Sequence, residues 1–353
     1  MEMLLLVGAY TIDMNEDAPG KARGISAYDF SSATGQLVFR GYVPTTNPSY
    51  LWVDDTRTMV YAVRECPDEA GPAVVAYHVA RRTDGSVAFT PAGESLLHGD
   101  HPCHLVGIDN TLVVSSYTSG TIDVFAKSAD GTPGELLQHI QLPLAGTNEQ
   151  PHAHCAAYDE RRQRVYICDL GGDRLRVFRR REDGRLEALP KLGIDFSHGA
   201  GPRHIALHPG GDFAVVVCEL QGISVLIDLR PDRPRILHQT RYLPERVVDQ
   251  ASGAAVRMDA SGKHVYVSDR KFSVVTALRL DVHAASLTAR DTYPSGGERP
   301  RDISLSPDGQ WLLTGNLKNH TIGVFRRGAG GALQLHHVVR KVPSPTCLKW
   351  MDI

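Results

Sequence analysis

No apolar stretch in this chain approaches the ~20 residues that a helix needs to cross a bilayer. The strongest candidate, in "MEMLLLVGAYT", runs for about five residues before polar ones follow. It also lacks the charged leader, extended apolar segment and cleavage site of a secretory signal. The expectation is a soluble, cytoplasmic protein with no membrane partner. Cysteine is sparse: Cys66, Cys103, Cys155, Cys168, Cys218 and Cys347 form no C-x-x-C pair and mostly sit inside apolar runs. That excludes a disulfide scaffold and suits a reducing compartment, where a free cysteine packs as a small hydrophobe. Charge of one sign is missing too. The net charge is −2 and no basic stripe exists, so no nucleic-acid partner is expected. The densest basic cluster, "RRR" at Arg179 to Arg181, runs into "EDG" and reads as a solvated turn. Helical periodicity is weak everywhere, which leaves short strands punctuated by Gly and Pro.

What the chain has is a repeat. An apolar strand ends in a polar residue, turns, and is followed by an alternating strand. The pattern occurs as "VYAVRE", "LVVSSYTSGTIDVF", "VYICDLGGDRLRVF", "AVVVCELQGISVL", "VYVSDRKFSVVTAL" and "LLTGNLKNHTIGVF". The polar ends, Glu65, Ser116, Asp169, Glu219, Asp269 and Asn316, are spaced 47 to 53 residues apart, and "LLLVGAYT" adds one more period upstream. Before each unit stands a short anchor strand with a tight turn, as in "NPSYLWVDD", "HPCHLVGID", "PHAHCAAYDE", "GPRHIALHPGG", "SGAAVRMDASG" and "RPRDISLSPDG". Four strands every ~50 residues define the blade of a propeller. The expected fold is all-β, a seven-bladed β-propeller occupying residues 1–353 as one domain. "SPTCLKWMDI" looks like an anchor strand without successors, so it should close the first blade from inside, beside the N-terminal strands.

This topology collects polar residues. The start of each anchor strand and the end of the next strand lie at the same end of the blade. One mouth of the central channel should therefore gather His152, His154, Arg203, His204, Glu219, Arg270 and Arg301. In a strand, the spacing of His152 and His154 would turn both rings to one face. Two imidazoles on one face suggest half a metal site. Three arginines around one glutamate argue against it, because they repel a divalent ion. Guanidiniums instead bind carboxylates or phosphates and stabilise oxyanions, and a His/Glu pair moves protons near neutral pH. No metal and no cofactor are expected.

At "PHAHCAAYD", "DLGGDRLRVF" and "GAGPRHIALHPGG…CEL" the chain resembles the seven-bladed lactonase family of bacterial 6-phosphogluconolactonases and fungal 3-carboxymuconate cyclases, with similarity along nearly its whole length. The resemblance implies a metal-independent reaction on a small-molecule lactone or its open hydroxy acid. It implies catalytic roles for His154, Arg203, Glu219 and Arg270. His152, His204, Arg301, Tyr117 and Glu65 are expected to bind substrate. The chain departs from the family with "SY" (Ser116, Tyr117) for the usual N-Y, with no Pro in "SGAAVRMDASG", and with Asp302 where Gly is common. For a phosphorylated substrate, Arg301 or Arg64 would meet the phosphate, since no Gly-rich cradle is present. The alternatives are a carboxymuconate-type cycloisomerase, which demands more cations, and a non-catalytic interaction platform, for which the W-D and G-H repeats are missing.

Overall fold

The β-branched runs form strands because each can bury one or both faces against a neighbouring blade. The computed structural model describes residues 2–54, 56, 58–144, 150–230 and 232–352, with the side chains of 248 and 249 excluded. Residues 55 and 57, in the first anchor turn, lie outside it. Seven antiparallel sheets follow one another around a ring, numbered here as blades 1 to 7. The anchor strands are innermost: Leu51–Asp54, Pro102–Ile108, Ala153–Asp159, Pro202–Leu207, Gly253–Met258 and Pro300–Leu305 in blades 2 to 7.

Blade 1 joins the two ends of the chain. Its innermost strand is Pro345–Met351, paired antiparallel with Glu2–Ala9, so the expected closure is the one observed. Blade 4 departs from the four-strand plan. Its outer edge is split into Leu186–Ala188 and Ile194–Asp195 by the 3₁₀ turn Pro190–Leu192. Pro190 has no N–H to give the ladder, which stops the first piece. The "RRR" cluster is also corrected. Arg179 and Arg180 belong to the strand Arg174–Arg180, and Arg180 reaches Asn110 (3.0 Å) and Asp109 (3.3 Å) of blade 3.

The blades are stitched through their second strands. Tyr61 donates to the carbonyl of Gly131 (2.6 Å) and Tyr266 to that of Gly331 (2.9 Å), each in the next blade. Trp311 of blade 7 is 1% exposed and donates from Nε1 to Ser32 of blade 1 (2.9 Å). Large rings fill the wedge between sheets while their polar tips find a carbonyl, so neither is left unpaired.

A register fault at the head of the inner strands decides where their side chains point. In blades 3, 5 and 7 one extra residue, Cys103, Arg203 or Arg301, sits opposite a regular strand. In blade 4 the extra length falls at His154 and Cys155, and in blade 6 at Ala254 and Ala255. Such bulges re-aim side chains. They let adjacent residues such as Arg203 and His204 both enter the channel, which strict alternation forbids.

Candidate active site at one mouth of the channel

A pocket of about 260 Å³ opens at the predicted mouth and is lined by Glu65, Tyr117, His154, Arg203, Glu219, Arg270 and Arg301. Seven of the nine expected residues therefore meet there. The other two lie beside it. His204 is buried beneath the pocket, in a smaller space it shares with His154 and Arg203. His152 precedes its strand, which begins at Ala153, so the period-of-two argument for a shared face fails. Its ring instead stacks on Tyr117 at 4.3 Å, and its Nδ1–H is given to the Tyr117 carbonyl at 2.8 Å. His152 supports a pocket wall.

Glu219 is the electrostatic centre. Arg270 Nη2 donates to Oε1 at 2.7 Å and Arg203 Nε lies 3.0 Å from Oε2. Each arginine is tied at its other end to backbone carbonyls, Arg203 to Ala254 (2.7 Å) and Arg270 to Ser252 (3.3 Å). Burial would raise the Glu219 carboxyl, but Arg270 and Arg203 outweigh it and hold it below its usual range. The group is a carboxylate at neutral pH and a weak base. Burial, reinforced by Arg270, pulls Arg203 down to about 10 against the pull of Glu219, so it remains charged at neutral pH.

His154 is 4% exposed, and burial followed by the charges of Arg203 and Arg301 holds it well below the usual imidazole range. It is neutral at pH 7. Arg301 is the third guanidinium, attracted by Tyr10, Glu65 and Glu219. Its guanidinium lies 5.1 Å from the centre of the Tyr10 ring, and among the described residues it forms no ion pair. Tyr10 in turn donates to Glu65 Oε1 at 3.0 Å.

Sequence reasoning missed part of the wall. Tyr10, Met14, Asn15 and Ala18 reach the pocket from the first interstrand connection of blade 1, and Cys103 from blade 3. Two of these had a signal. Tyr10 follows the strand Glu2–Ala9 as Glu65 follows Met59–Arg64, and Cys103 occupies the bulge slot filled elsewhere by Arg203 and Arg301. The connection itself has no repeat to flag it. It is pinned by Asp17, which pairs with Arg299 (3.1 Å) and Lys318 (3.0 Å). Arg64 is not at the mouth. It pairs with Glu94 at 2.7 Å and lines a 420 Å³ groove away from the channel, but it also lines a 330 Å³ pocket that shares Met14, Glu65 and His101 with the mouth. Among the described residues, no group of three or more His, Cys, Asp or Glu is placed to share a metal ion.

Three guanidiniums, two carboxylates and a neutral imidazole at a propeller mouth make a site for an anion and for developing negative charge. The chain belongs to the lactonase, 7-bladed beta-propeller family, whose model matches residues 4–350. It is 27% identical to the 6-phosphogluconolactonase of Bacillus subtilis over 315 residues, covering 86% of this chain and 87% of that protein. It is 28% identical to a 6-phosphogluconolactonase of Erwinia tasmaniensis over 263 residues, covering 74% and 76%. In fold it resembles the Pseudomonas aeruginosa periplasmic gluconolactonase, with TM-score 0.90, 23% identity and full coverage of both chains.

Proposed function

We propose that this protein hydrolyses a sugar-acid lactone at the Glu219 mouth, as one propeller unit spanning the chain. The observation that carries the reading is Glu219 held between Arg203 and Arg270, with His154 and the unpaired Arg301 facing the same pocket. Arg301 takes the substrate's anionic group. Arg203 and Arg270, fixed by Glu219 and by backbone carbonyls, offer N–H groups to the oxygen that becomes negative when water adds to the lactone carbonyl. Neutral His154 accepts the proton of that water. The tetrahedral adduct then expels the ring oxygen, which leaves as an alkoxide and takes the proton back from His154. Lactone and water thus become the hydroxy acid with no group consumed.

The assignment makes Glu219 a holder of the arginine pair rather than the base, because a carboxylate clamped by two cations has little affinity for a proton. The arginines are the electrophile, so no metal is required. The cytoplasm is the proposed location, supported by six free, buried cysteines. The relatives' names favour a phosphorylated aldonolactone, with Arg301 as the phosphate contact.

The test is a panel of phosphorylated and unphosphorylated aldonolactones monitored by acid release, with and without chelator. His154→Ala, which removes the proton carrier, and Glu219→Gln, which releases the two oxyanion donors from the group that aims them, should each lose about 10²–10³ in kcat. Full activity in both variants would sink the site. Loss of wild-type activity on chelation would sink metal independence.

A further inference from the structure

Under the pocket, and sharing Cys103, His154, Arg203 and Arg301 with its lining, lies a narrow space of about 10 Å³. Five side-chain atoms of residues lining it are buried without a hydrogen-bond partner: Ser49 Oγ, Thr346 Oγ1, His154 Nδ1, His204 Nδ1 and Arg203 Nε; the last faces Glu219 Oε2 at 3.0 Å, which leaves the other four to be satisfied. The residues of those four are 3 to 4% exposed. Buried polar atoms are seldom left unpaired, and a polar space of this size holds about one water.

The protons can be assigned. Arg203 Nη1 lies 3.2 Å from His204 Nε2, and a guanidinium can only donate. His204 Nε2 therefore carries the lone pair and its Nδ1 the hydrogen. For His154 the mouth decides. An N–H at Nε2 would face the donor-only groups of Arg203, Arg270 and Arg301, whereas a lone pair is favoured by their positive potential. The hydrogen then belongs on Nδ1, turned to the narrow space. A water has two lone pairs and two hydrogens. Two N–H groups and two hydroxyl oxygens saturate it.

We propose that one ordered water in this space accepts from His154 Nδ1–H and His204 Nδ1–H, donates to Ser49 and Thr346, and so fixes His154 with its lone pair at Nε2. His204 is then a positioning residue, acting on the base through a water. The functional part of this inference rests on the reading of His154 as the base, while the tautomer does not depend on activity.

The experiment is ¹⁵N-histidine NMR, using two-bond proton–nitrogen correlations to tell N–H from lone-pair nitrogens. Loss of one ring system in His154→Gln assigns His154. In wild type, His154 and His204 should both be Nδ1–H. His104 supplies an internal control: its Nδ1 accepts from the Ala156 N–H at 3.3 Å, so it should be Nε2–H in every variant. In His204→Leu, and in the milder Ser49→Ala if the first fails to fold, His154 should become a mixture of tautomers. His204→Asn, which returns an N–H, should restore it. In lactone assays His204→Leu should lower kcat about tenfold or more with KM little changed, short of the ~10⁴ lost when a triad's orienting carboxylate is removed. A wild-type His154 protonated at Nε2, or a His154 tautomer unchanged in the folded His204→Leu and Ser49→Ala variants, would overturn the proposal. The expected tautomers with no lactone turned over would uphold the water and refute the lactonase reading.

Discussion

Arg301 differs from its two neighbours in forming no close ion pair among the described residues. Arg203 and Arg270 share Glu219, and that sharing costs them freedom but fixes their direction. Arg301 has the Tyr10 face and the more distant pull of Glu65 and Glu219, so among the described residues no close ion pair competes with a ligand for it. Arg301→Gln should therefore raise KM for an anionic lactone about ten- to a hundredfold, with a smaller change in kcat, while KM for a neutral lactone barely moves. Steady-state kinetics on a matched charged and neutral pair checks this. Equal effects on both would remove Arg301 from anion binding.

The pH dependence belongs to the same scale. As the proposed base, His154 would work only while neutral, so activity should be lost as pH falls through its pKa. Burial, then Arg203 and Arg301, depress that pKa below the ordinary value of 6.5. The acid limb of kcat/KM, which reports the free enzyme, should lie below pH 6.5. Removing a neighbouring cation favours the imidazolium, so the limb should move upward in Arg301→Gln. A limb that stays put would mean that another group titrates.

At the scale of the element, the inner strand is where sequence logic both worked and failed. The repeat brought His154, Arg203, Glu219, Arg270 and Arg301 to one pocket because strand ends are set by spacing, and spacing is visible in a sequence. Whether His152 or His204 faces substrate depends on a bulge and on a strand starting one residue late, and neither leaves a compositional mark. Asp302 shows the same limit. It stands where the family commonly has Gly, next to Arg301 of the mouth. Its carboxylate instead faces away from the mouth, 2.6 Å from Arg257 of blade 6 and 2.8 Å from the N–H of Leu348 in blade 1. It ties three blades together with a side chain only 1% exposed. Removing one partner of a buried pair strands the other, so Asp302→Ala should cost about 3–5 kcal/mol. Asp302→Asn, which keeps an acceptor oxygen, should cost less. Urea midpoints at unchanged slope measure both, and the folded Asn variant should keep its KM.

For the whole molecule, the consequence of a ring is that no blade is privileged as the point of closure. Blade 1 closes because Pro345–Met351 supplies inner-strand hydrogen bonds to Glu2–Ala9 and buries Cys347, Leu348 and Met351. Deleting 345–353 leaves that strand's backbone groups unpaired and strips Asp302 of one partner, so the truncated chain should lose its cooperative unfolding transition. The pairing also brings Leu4 opposite Met351, which puts the first and last strands side by side with their outer ends together. A short glycine-rich linker between them should therefore introduce no strain. New ends can be opened between His283 and Ala284, in the exposed turn between the third and fourth strands of blade 6, on the rim opposite the mouth. Blade 6 would then be completed by strands from both ends of the permuted chain, as blade 1 is now. The permutant should unfold in one transition with the wild-type urea slope, because the same surface is buried, and should keep its lactone KM. Two separate transitions would show instead that closure at blade 1 carries stability that the other blade junctions cannot supply.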